Sequence, residues 1–234
     1  MKATTLGRTF ATLVLCLLVS ACAGLPRDPE GTLGRVQGGR LRVGLVEQPP
    51  WVVRTEGEPA GAEVELVRRF AAELRATPEW HWGGEQRQME ALERFELDLV
   101  VGGVTDRTPW SKYVGLTAPY FEERYAVGFP STPSKELKGV EVSVREGDPA
   151  AYYLSKKGAV PTRVAGLTPL SGPVAAPVWE LESLGLTPSD ETLHTEKHVM
   201  VIAPGENGFL KRLEEFLARE RAEVKGLLQR EVQR

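Results

Sequence analysis

Short runs of β-forming apolar residues alternate with amphipathic helical segments, and this alternation restricts the fold more than any other feature of the chain. Leu41–Val46 (LRVGLV) is typical of a strand, and Gly61–Ala76 (GAEVELVRRFAAELRA) places its apolar residues on one helical stripe. Glu85–Glu96 repeats the helical spacing, and Leu97–Gly103 (LDLVVGG) is typical of a buried strand. Strand, helix, helix, strand predicts an α/β unit with parallel strands.

A second, smaller set of elements follows a predicted strand at Arg124–Phe129 and a linker at Pro130–Ser134. The later predicted elements are strands at Val140–Val144, Thr162–Ala165 and His198–Ala203, a helix at Ala150–Lys157, a helical pattern in Val174–Leu184 after the Pro177 break, and closing helices at Gly208–Ala218 and Arg221–Val232. Two α/β groups joined by extended segments predict two lobes with a cleft between them, where small ligands commonly bind.

The composition fits this interpretation. Of 234 residues, 41% are hydrophobic and 26% charged, as in globular rather than disordered chains. This length suffices for one large domain or two small lobes. The balance of 29 basic and 32 acidic side chains gives a net charge of −3, without a run of like charge at either end. Nucleic acid is therefore not an expected partner.

The first 22 residues predict a secretory signal. Lys2 and Arg8 form a short basic start, and Phe10–Val19 is an apolar run that is too short to span a bilayer. The run ends in VSAC, which resembles the bacterial lipobox and makes Cys22 the expected site of lipidation. The alternative is an ordinary signal peptide with a chance cysteine.

The cysteine count agrees with a lipid anchor. The second cysteine, Cys16, lies within the signal and would be removed with it, so the mature chain would have a single thiol and no internal disulfide. Residues 23–38 are rich in Gly and Pro and show no periodicity, which predicts a tether between the lipid and the fold.

The chain resembles the polar-amino-acid type of periplasmic solute-binding protein, which serves ABC importers, in LRVGLVEQPPW, GAEVELVRRFAAEL, LDLVVGGVTDRTPWSKYVGLTAPYF and ELKGVEVSVREGD. The resemblance covers nearly all of Arg40–Asp148 and returns at HVMVIAPGENGFLKRLEEFL. It implies the type II fold, in which two α/β lobes are joined by two hinge strands and close on a ligand.

The resemblance also implies lobe boundaries. Lobe one is expected over residues 39–127 and 199–234, and lobe two over residues 128–198. Arg124–Phe129 and the segment before Met200 would be the hinge strands. Lobe two is expected to be shortened between Leu154 and Gly172, where most of one helix is lacking.

In this family, residues at the exit of the strand that ends at Gly103 hold the ligand's α-carboxylate and amino group. The resemblance places Gly102 and Gly103 there, where a residue without a Cβ lets backbone N–H and C=O groups approach a ligand. Thr105 retains the family's hydroxyl. A tight turn without a ligand is the alternative.

Several positions depart from the family pattern. Trp110 falls where the family carries its carboxylate-binding arginine, and an indole has one N–H and no charge. Arg107 would either reach the same volume or lie on the loop surface. The second lobe's turn has Asp148 and Pro149, and the position of the usual ammonium-binding acid falls near Ala175. Tight binding of a standard α-amino acid is therefore not expected.

Aromatic and acidic residues remain in the expected cleft. Trp51 follows two prolines where the family places an aromatic ring that stacks on the ligand, and Glu47, Glu85, Asp106 and Asp148 are candidate acids. Such a site suits a cationic or amine ligand; the alternative is that the acids are solvated and Trp51 belongs to the core. The predicted ligand-binding residues are Trp51, Glu85, Gly102, Gly103, Thr105, Arg107, Trp110 and Asp148.

No metal site, cofactor or catalytic motif is expected. His81, His194 and His198 are too scattered in sequence to indicate a metal site. A dehydratase of the same fold, which some relatives are, would need Arg107, Arg145 and Glu180 as cations and general acid, an assignment that rests on proximity alone.

The sequence thus predicts a monomeric, lipid-anchored extracytoplasmic protein, not an enzyme, that captures a small polar or amine-type molecule for an ABC permease. Ala23, after the lipidated cysteine, does not oppose sorting to the outer membrane, so in a Gram-negative cell the periplasmic side of the outer membrane is expected rather than that of the inner membrane. The alternative is an accessory, partner-binding lipoprotein that has lost amino-acid binding.

Overall fold

The computed structural model describes residues 28–134, 136–167 and 172–233, which form two β-sheets with helices packed around them. The predicted signal peptide and the lipidation site Cys22 lie outside the described residues. Within the described residues, no helix combines the length and the apolar character needed to cross a membrane.

The strands of the described residues are β1 (Arg40–Leu45), β2 (Thr77–Trp82), β3 (Leu99–Val101), β4 (Gly115–Leu116), β5 (Phe121–Phe129), β6 (Glu141–Arg145), β7 (Val160–Val164), β8 (Val174–Pro177), β9 (Thr187–Pro188), β10 (His194–His198) and β11 (Val201–Ile202). The α-helices are α1 (Thr32–Val36), α2 (Ala62–Glu73), α3 (Glu85–Glu93), α4 (Ala150–Lys156), α5 (Val178–Ser183), α6 (Asn207–Glu220) and α7 (Val224–Val232). Short 3₁₀ helices occupy Pro109–Lys112 and Arg221–Glu223.

The first sheet has the strand order β2-β1-β3-β11-β4. Strand β1 pairs in parallel with β3, as the alternating pattern predicted, and also with β2, whereas β11 pairs antiparallel with β3 and β4. The prediction omitted β2, because its sequence TPEWHW contains a proline and a histidine and has no continuous apolar run. Such a sequence is compatible with a strand at the edge of a sheet, and among the described strands β2 pairs with β1 alone.

The second sheet has the order β10-β5-β8-β6-β7, and β9 also pairs with β5. The helix predicted after the Pro177 break is observed as α5, and the residues before the break form strand β8, which is buried throughout and pairs with β5. One predicted element is corrected here. The single strand proposed for His198–Ala203 is divided, because β10 ends in the second sheet and the chain then enters β11 of the first.

Each sheet has its own apolar core. Helices α2, α6 and α7 cover the first sheet, and Phe70 of α2 contacts Phe209 and Phe216 of α6 with ring centroids 5.7 Å and 5.3 Å apart. A separate cluster around Val127, Val142 and Leu154 fills the second unit. Two α/β units of this kind form the two-lobe architecture of periplasmic binding proteins, which confirms the predicted fold class.

Residues 28–38, expected to be an irregular tether, pack on the first lobe. The carboxylate of Glu206 accepts hydrogen bonds from the N–H groups of Glu30 and Thr32, both at 2.9 Å. In turn, Asp28 accepts from the N–H of Gly208 at 2.7 Å and of Phe209 at 3.0 Å. Side-chain hydrogen bonds to helix ends hold the segment in place, and a search for hydrophobic periodicity does not detect such contacts.

The two sheets are connected by the antiparallel strands β5 and β10, which pair from Phe121↔His198 to Tyr125↔His194. A second contact joins the lobes at α5. The Trp179 ring packs in the apolar cluster of the first lobe. The backbone carbonyl oxygen of Trp179 lies 3.5 Å from Gln229 Nε2 of α7. Between Leu154 and Gly172, the described residues contain the end of α4 and strand β7, without a further helix.

Candidate functional site

A cleft of about 670 Å³ lies between the two lobes. The first lobe contributes the turn before α2 and the exit of β3, and the second lobe contributes the loop after β6 and the start of α5. Strands β5 and β10 also contribute to its wall. The lining residues are Gln48, Pro49, Pro50, Trp51, Val53, Gly103, Glu123, Tyr125, Arg145, Glu146, Gly147, Asp148, Pro149, Pro177, Trp179, Glu180, Glu196, His198, Glu231 and Val232.

Glu123, Glu196 and His198 meet where β5 pairs with β10. Glu123 and Glu196 are direct partners in the register, and His198 follows two residues later on the same face. Glu123 is almost fully buried: Oε1 accepts a hydrogen bond from the indole N–H of Trp179 at 2.7 Å, and Oε2 lies 3.2 Å from His198 Nε2. Glu196 is partly exposed to the cleft, and nearby His194 lowers its pKa despite the effect of burial.

Trp51 lies at the boundary between core and cleft. Its ring stacks on His198 with centroids 4.0 Å apart and contacts Tyr120 edge-on at 6.4 Å. Gly103 makes this position possible, because it has a φ of +66° and a Cβ there would lie 2.8 Å from Trp51 Cδ1. The ring is both a core residue and part of the cleft wall, so the two alternatives for Trp51 are compatible.

The cleft is acidic. Among its described lining residues, Arg145 is the one lysine or arginine, and it donates hydrogen bonds to both carboxylate oxygens of Glu180. Burial alone would lower the pKa of Arg145, but the Glu180 carboxylate outweighs burial and raises it. The same lining carries six carboxyl groups, on Glu123, Glu146, Asp148, Glu180, Glu196 and Glu231.

Asp148 presents a partly unpaired carboxylate to the cleft. Oδ1 accepts a hydrogen bond from the N–H of Ala150 at 2.8 Å, and no other described residue donates to this side chain. Burial raises the pKa of Asp148 above its usual value, although the Ala150 N–H acts in the opposite direction. Burial also raises the pKa of Tyr125, and the carboxylates of Glu123, Glu196 and Asp148 contribute to this increase.

The structure divides the predicted ligand-binding residues among three places. Trp51, Gly103 and Asp148 line the cleft between the lobes. A neighbouring cavity of about 340 Å³ lies in the first lobe, and its lining includes five of the predicted residues. These five are Glu85, Gly102, Gly103, Thr105 and Arg107.

Trp110 lines neither cavity. The ring packs on the apolar cluster that contains Val104 and Val114, and it contacts Tyr113 edge-on at 6.3 Å. The position therefore serves the packing of the loop after β3 in this structure. Sequence alone does not reveal this, because a tryptophan fits an apolar cluster as well as it fits a ligand.

The backbone amides of Gly102 and Gly103 are already occupied, contrary to the expectation that they are exposed to a ligand. Both donate to Glu63 Oε2, at 2.7 Å and 2.9 Å, and the hydroxyl of Tyr120 donates to Glu63 Oε1 at 2.6 Å. Burial raises the pKa of Glu63 despite these hydrogen bonds. Glu63 fits the amphipathic helix pattern as one more polar residue, so no local sequence signal indicates this role.

The acid–histidine cluster on β5 and β10 was also missed in the sequence. A signal for part of it existed, because HTEKH on a strand places His194, Glu196 and His198 on one face. Glu123 lies 75 residues before His198, and only strand pairing brings them together. Arg145 and Glu180, considered for a dehydratase, do line the cleft, but they bind each other; Arg107 lines the neighbouring cavity.

Two α/β lobes with a polar, ligand-sized cleft between them define a solute-binding protein of the periplasmic type. The sequence profile of the family described as "Bacterial extracellular solute-binding proteins, family 3" matches residues 41–229, and the chain belongs to this family. The proteins of this family bind small molecules outside the cytoplasm for ABC transporters, which confirms the resemblance. No curated protein sequence matches the chain significantly.

Solved structures show the same fold. An ancestral cationic amino acid solute-binding protein, AncCDT-1, has a TM-score of 0.67 at 18% identity, covering 85% of this chain and 98% of its own. The second substrate-binding domain of a putative amino acid ABC transporter from Streptococcus pneumoniae has a TM-score of 0.63 at 18% identity, covering 83% and 98%. An ancestral cyclohexadienyl dehydratase has a TM-score of 0.59 at 19% identity, covering 82% and 91%.

Proposed function

We propose that this chain is a lipid-anchored, extracytoplasmic solute-binding protein that captures a small amine-bearing molecule between its lobes for an ABC importer. The observation that carries the proposal is the acidic, aromatic-walled cleft. Arg145, the one lysine or arginine among its described lining residues, is already paired with Glu180. A cation entering this cleft meets carboxylates and aromatic faces, the combination that binds ammonium groups.

Asp148 and Trp51 are the proposed principal contacts. Asp148 has one oxygen without a donor among the described residues, whereas Glu123 and Glu180 are held by Trp179 and Arg145. Trp51 lies on the opposite, first-lobe wall and offers the apolar surface for the body of the ligand. A ligand held by one group from each lobe would favour the closed arrangement of the lobes.

A standard α-amino acid fits this cleft poorly. Its carboxylate would find Arg145 bound to Glu180, the amides of Gly102 and Gly103 bound to Glu63, and no guanidinium at Trp110. An anion left without a partner in a closed cleft costs several kcal/mol, which is enough to abolish micromolar affinity. The name of AncCDT-1 specifies cationic amino acids, so a protein of the same fold binds ligands that carry a positively charged group.

Isothermal titration calorimetry of the full chain in detergent, with a panel of amines, polyamines and amino acids, tests the proposal. An amine is expected to bind, and Asp148→Asn is expected to weaken it about 10-fold or more, because the variant removes one partly desolvated charge. Trp110→Phe, a change outside the cleft, is the matched control and keeps the affinity. Micromolar binding of a neutral α-amino acid that is unaffected by Asp148→Asn would refute the amine assignment.

The affinity is also expected to depend on pH. Burial raises the pKa of Asp148 above about 3.9, so its charge disappears at a higher pH than that of an ordinary aspartate. Amine affinity therefore falls as the pH is lowered from 7 through the raised pKa. The fall is expected to be smaller in Asp148→Asn, and calorimetry at a series of pH values measures it; equal slopes in the two proteins would contradict the role of Asp148.

Location is proposed from the sequence. The VSAC motif supports lipidation of Cys22, and Ala23 does not oppose sorting to the outer membrane of a Gram-negative cell. Cys22→Ser is expected to release the protein into the soluble periplasmic fraction. Retention of this variant in the membrane fraction would argue against the anchor.

One contact favours a second candidate function, an accessory lipoprotein that no longer carries a solute. Trp179 of the second lobe is buried in the apolar cluster of the first, so opening the hinge would expose its ring to water. Small-angle scattering separates the two functions. A transport protein compacts when it binds its amine, and an accessory protein keeps one radius of gyration under all conditions.

A further inference from the structure

We infer that Glu123, Glu196 and His198 form a binding site for one divalent transition-metal ion of the zinc class at the base of the cleft. The inference goes beyond the proposed function, since it requires neither an amine ligand nor a transporter. Three observations carry it: the geometry of the ligand atoms, the pairing of two carboxylates, and a buried histidine without a hydrogen-bond partner.

The ligand atoms are already close together. One nitrogen of His198 and one oxygen from each glutamate lie within 4.8 Å of one another. Zinc bonds of about 2.0–2.2 Å place tetrahedral ligands roughly 3.3–3.6 Å apart, so shifts of about 1 Å suffice. The atoms are presented by two paired strands rather than by loops, which fixes their spacing.

Among the described residues, no lysine or arginine forms an ion pair with either carboxylate of this cluster. Glu123 and Glu196 lie directly opposite each other on antiparallel strands, where like charges destabilise the pair. Arg145, the one described arginine of the cleft lining, is bound to Glu180. A divalent ion between the two carboxylates would replace this repulsion by attraction, and neutral His198 would complete a site of net charge zero.

His194 supplies the independent observation. Its side chain is 5% exposed, and neither ring nitrogen has a hydrogen-bond partner among the described residues. The ring is held between Tyr125 and Tyr153, with centroid distances of 4.1 Å and 4.5 Å, and Nε2 points toward Glu196 Oε1 at 3.6 Å. A buried polar group without a hydrogen-bond partner requires an explanation, and this one is aimed at Glu196, one of the three proposed ligands.

Outer-sphere support is present as well. The indole N–H of Trp179 donates to Glu123 Oε1 and leaves Oε2 directed at His198. Hydrogen bonds of this kind orient metal ligands and tune their affinity. One imidazole with two carboxylates and no thiolate suits zinc or manganese rather than copper(I) or an iron–sulfur cluster. The remaining coordination position faces the cleft, because Glu196 is the ligand that is partly exposed.

Zinc titration of the chelator-treated full chain, purified in detergent and followed by calorimetry, tests the site. One zinc ion is expected to bind per chain. Glu196→Gln is expected to weaken the affinity roughly 100-fold or more, since removal of a direct ligand exceeds the 10–100-fold cost of losing an outer-sphere partner. Glu146→Gln, the same substitution at an exposed acid of the same cleft, is the control and retains wild-type affinity.

Cobalt(II) provides a readout that a merely structural glutamate would not change. The visible absorption of a four-coordinate cobalt ion is expected in the wild type and in Glu146→Gln, and is expected to be lost in Glu196→Gln. Metal-free Glu196→Gln should unfold at a temperature no lower than the metal-free wild type, because the substitution removes one of two repelling carboxylates and Glu196 is partly exposed. Wild-type protein that binds no zinc, or Glu196→Gln that binds it as tightly as wild type, overturns the inference.

Failure of this site and failure of the amine proposal give different results. Asp148→Asn is expected to lose amine affinity and keep zinc affinity, because Asp148 is not a metal ligand. Zinc binding without any amine binding supports the metal site and refutes the amine assignment. Amine binding without zinc binding does the reverse.

Discussion

Asp98 links the first helix of the fold to the first sheet through a buried carboxylate. Arg35 of α1 and Arg42 of β1 donate to Oδ1 at 2.5 Å and 2.6 Å, and the N–H of Arg42 donates to Oδ2 at 2.9 Å. Burial alone would raise the pKa of Asp98, but the hydrogen bonds from Arg42 and Arg35 outweigh it and lower the pKa. The carboxylate is therefore bound in its charged form.

We expect Asp98→Asn to reduce the free energy of unfolding at pH 7 by about 1–3 kcal/mol. The estimate is below the 3–5 kcal/mol typical of a broken buried ion pair, because both arginines stay partly in water. Urea unfolding of the two proteins measures the difference. Glu79→Gln, in the exposed pair with Arg40, should change stability by less than about 0.5 kcal/mol.

The effect of Asp98 should disappear in acid. A carboxyl group whose folded-state pKa is lowered stabilises the fold above its unfolded-state pKa of about 3.9, and this contribution is lost as the pH falls through the lower folded-state pKa. The stability difference between wild type and Asp98→Asn is therefore expected to shrink below about pH 4. A difference that is constant down to pH 2 would show that the side chain acts through packing alone.

At the scale of elements, the N-termini of helices α1 and α6 are each capped by a carboxylate that precedes the other helix. Glu206, fully buried before α6, accepts from the backbone at the start of α1, and Asp28, before α1, accepts from the first turn of α6. Unpaired N–H groups at helix N-termini favour carboxylates, so each acid satisfies donors that would otherwise lack partners. The pair attaches the segment that precedes β1 to the C-terminal part of the lobe.

Glu206→Ala is expected to cost about 1–3 kcal/mol of unfolding free energy, because it leaves the buried N–H group of Thr32 without an acceptor. Hydrogen exchange of the Glu30 and Thr32 amides should accelerate more than exchange in β1. Glu215→Ala, an exposed position on α6, serves as the control and should leave both readouts near wild type. Unchanged amide protection in Glu206→Ala would contradict the capping role.

At the scale of the whole molecule, two connections set the relation of the lobes. Strands β5 and β10 join the sheets, and Trp179 of α5 inserts into the apolar cluster of the first lobe. Lys225 of α7 also pairs with Glu182 of α5. The lobe boundaries at residues 127/128 and 198/199 remain a prediction, and the contact at Trp179 offers a way to examine how freely the lobes separate.

We expect Trp179→Ala to increase the radius of gyration of the ligand-free protein, measured by small-angle scattering, because the ring is the main apolar contact of α5 with the first lobe. The substitution should also cost about 3–5 kcal/mol of stability, as is usual for a buried tryptophan. Trp110→Ala is the comparison, since that ring packs within the first lobe alone. It should leave the radius unchanged, and equal radii for all three proteins would mean that Trp179 does not hold the lobes together.

The sequence by itself determined the class of fold and the family. The apolar strand runs, the stripe of α2 and the closing helices are local patterns, and burial of one face accounts for each of them. The parallel pairing of β1 and β3 followed from the same alternation, and the solute-binding family followed from the motifs between Arg40 and Asp148.

Tertiary structure decided the elements and contacts that depend on distant partners. Strand β2 is too polar to be recognised from its own residues and exists because β1 offers it an edge. The sequence pattern predicts a ligand at the backbone amide of Gly102, but the fold places the Glu63 carboxylate against it. Glu123 lies next to Glu196 and His198 because of the register in which β5 pairs with β10. Periodicity can be found in a short stretch of sequence, but the pairing of two distant strands cannot.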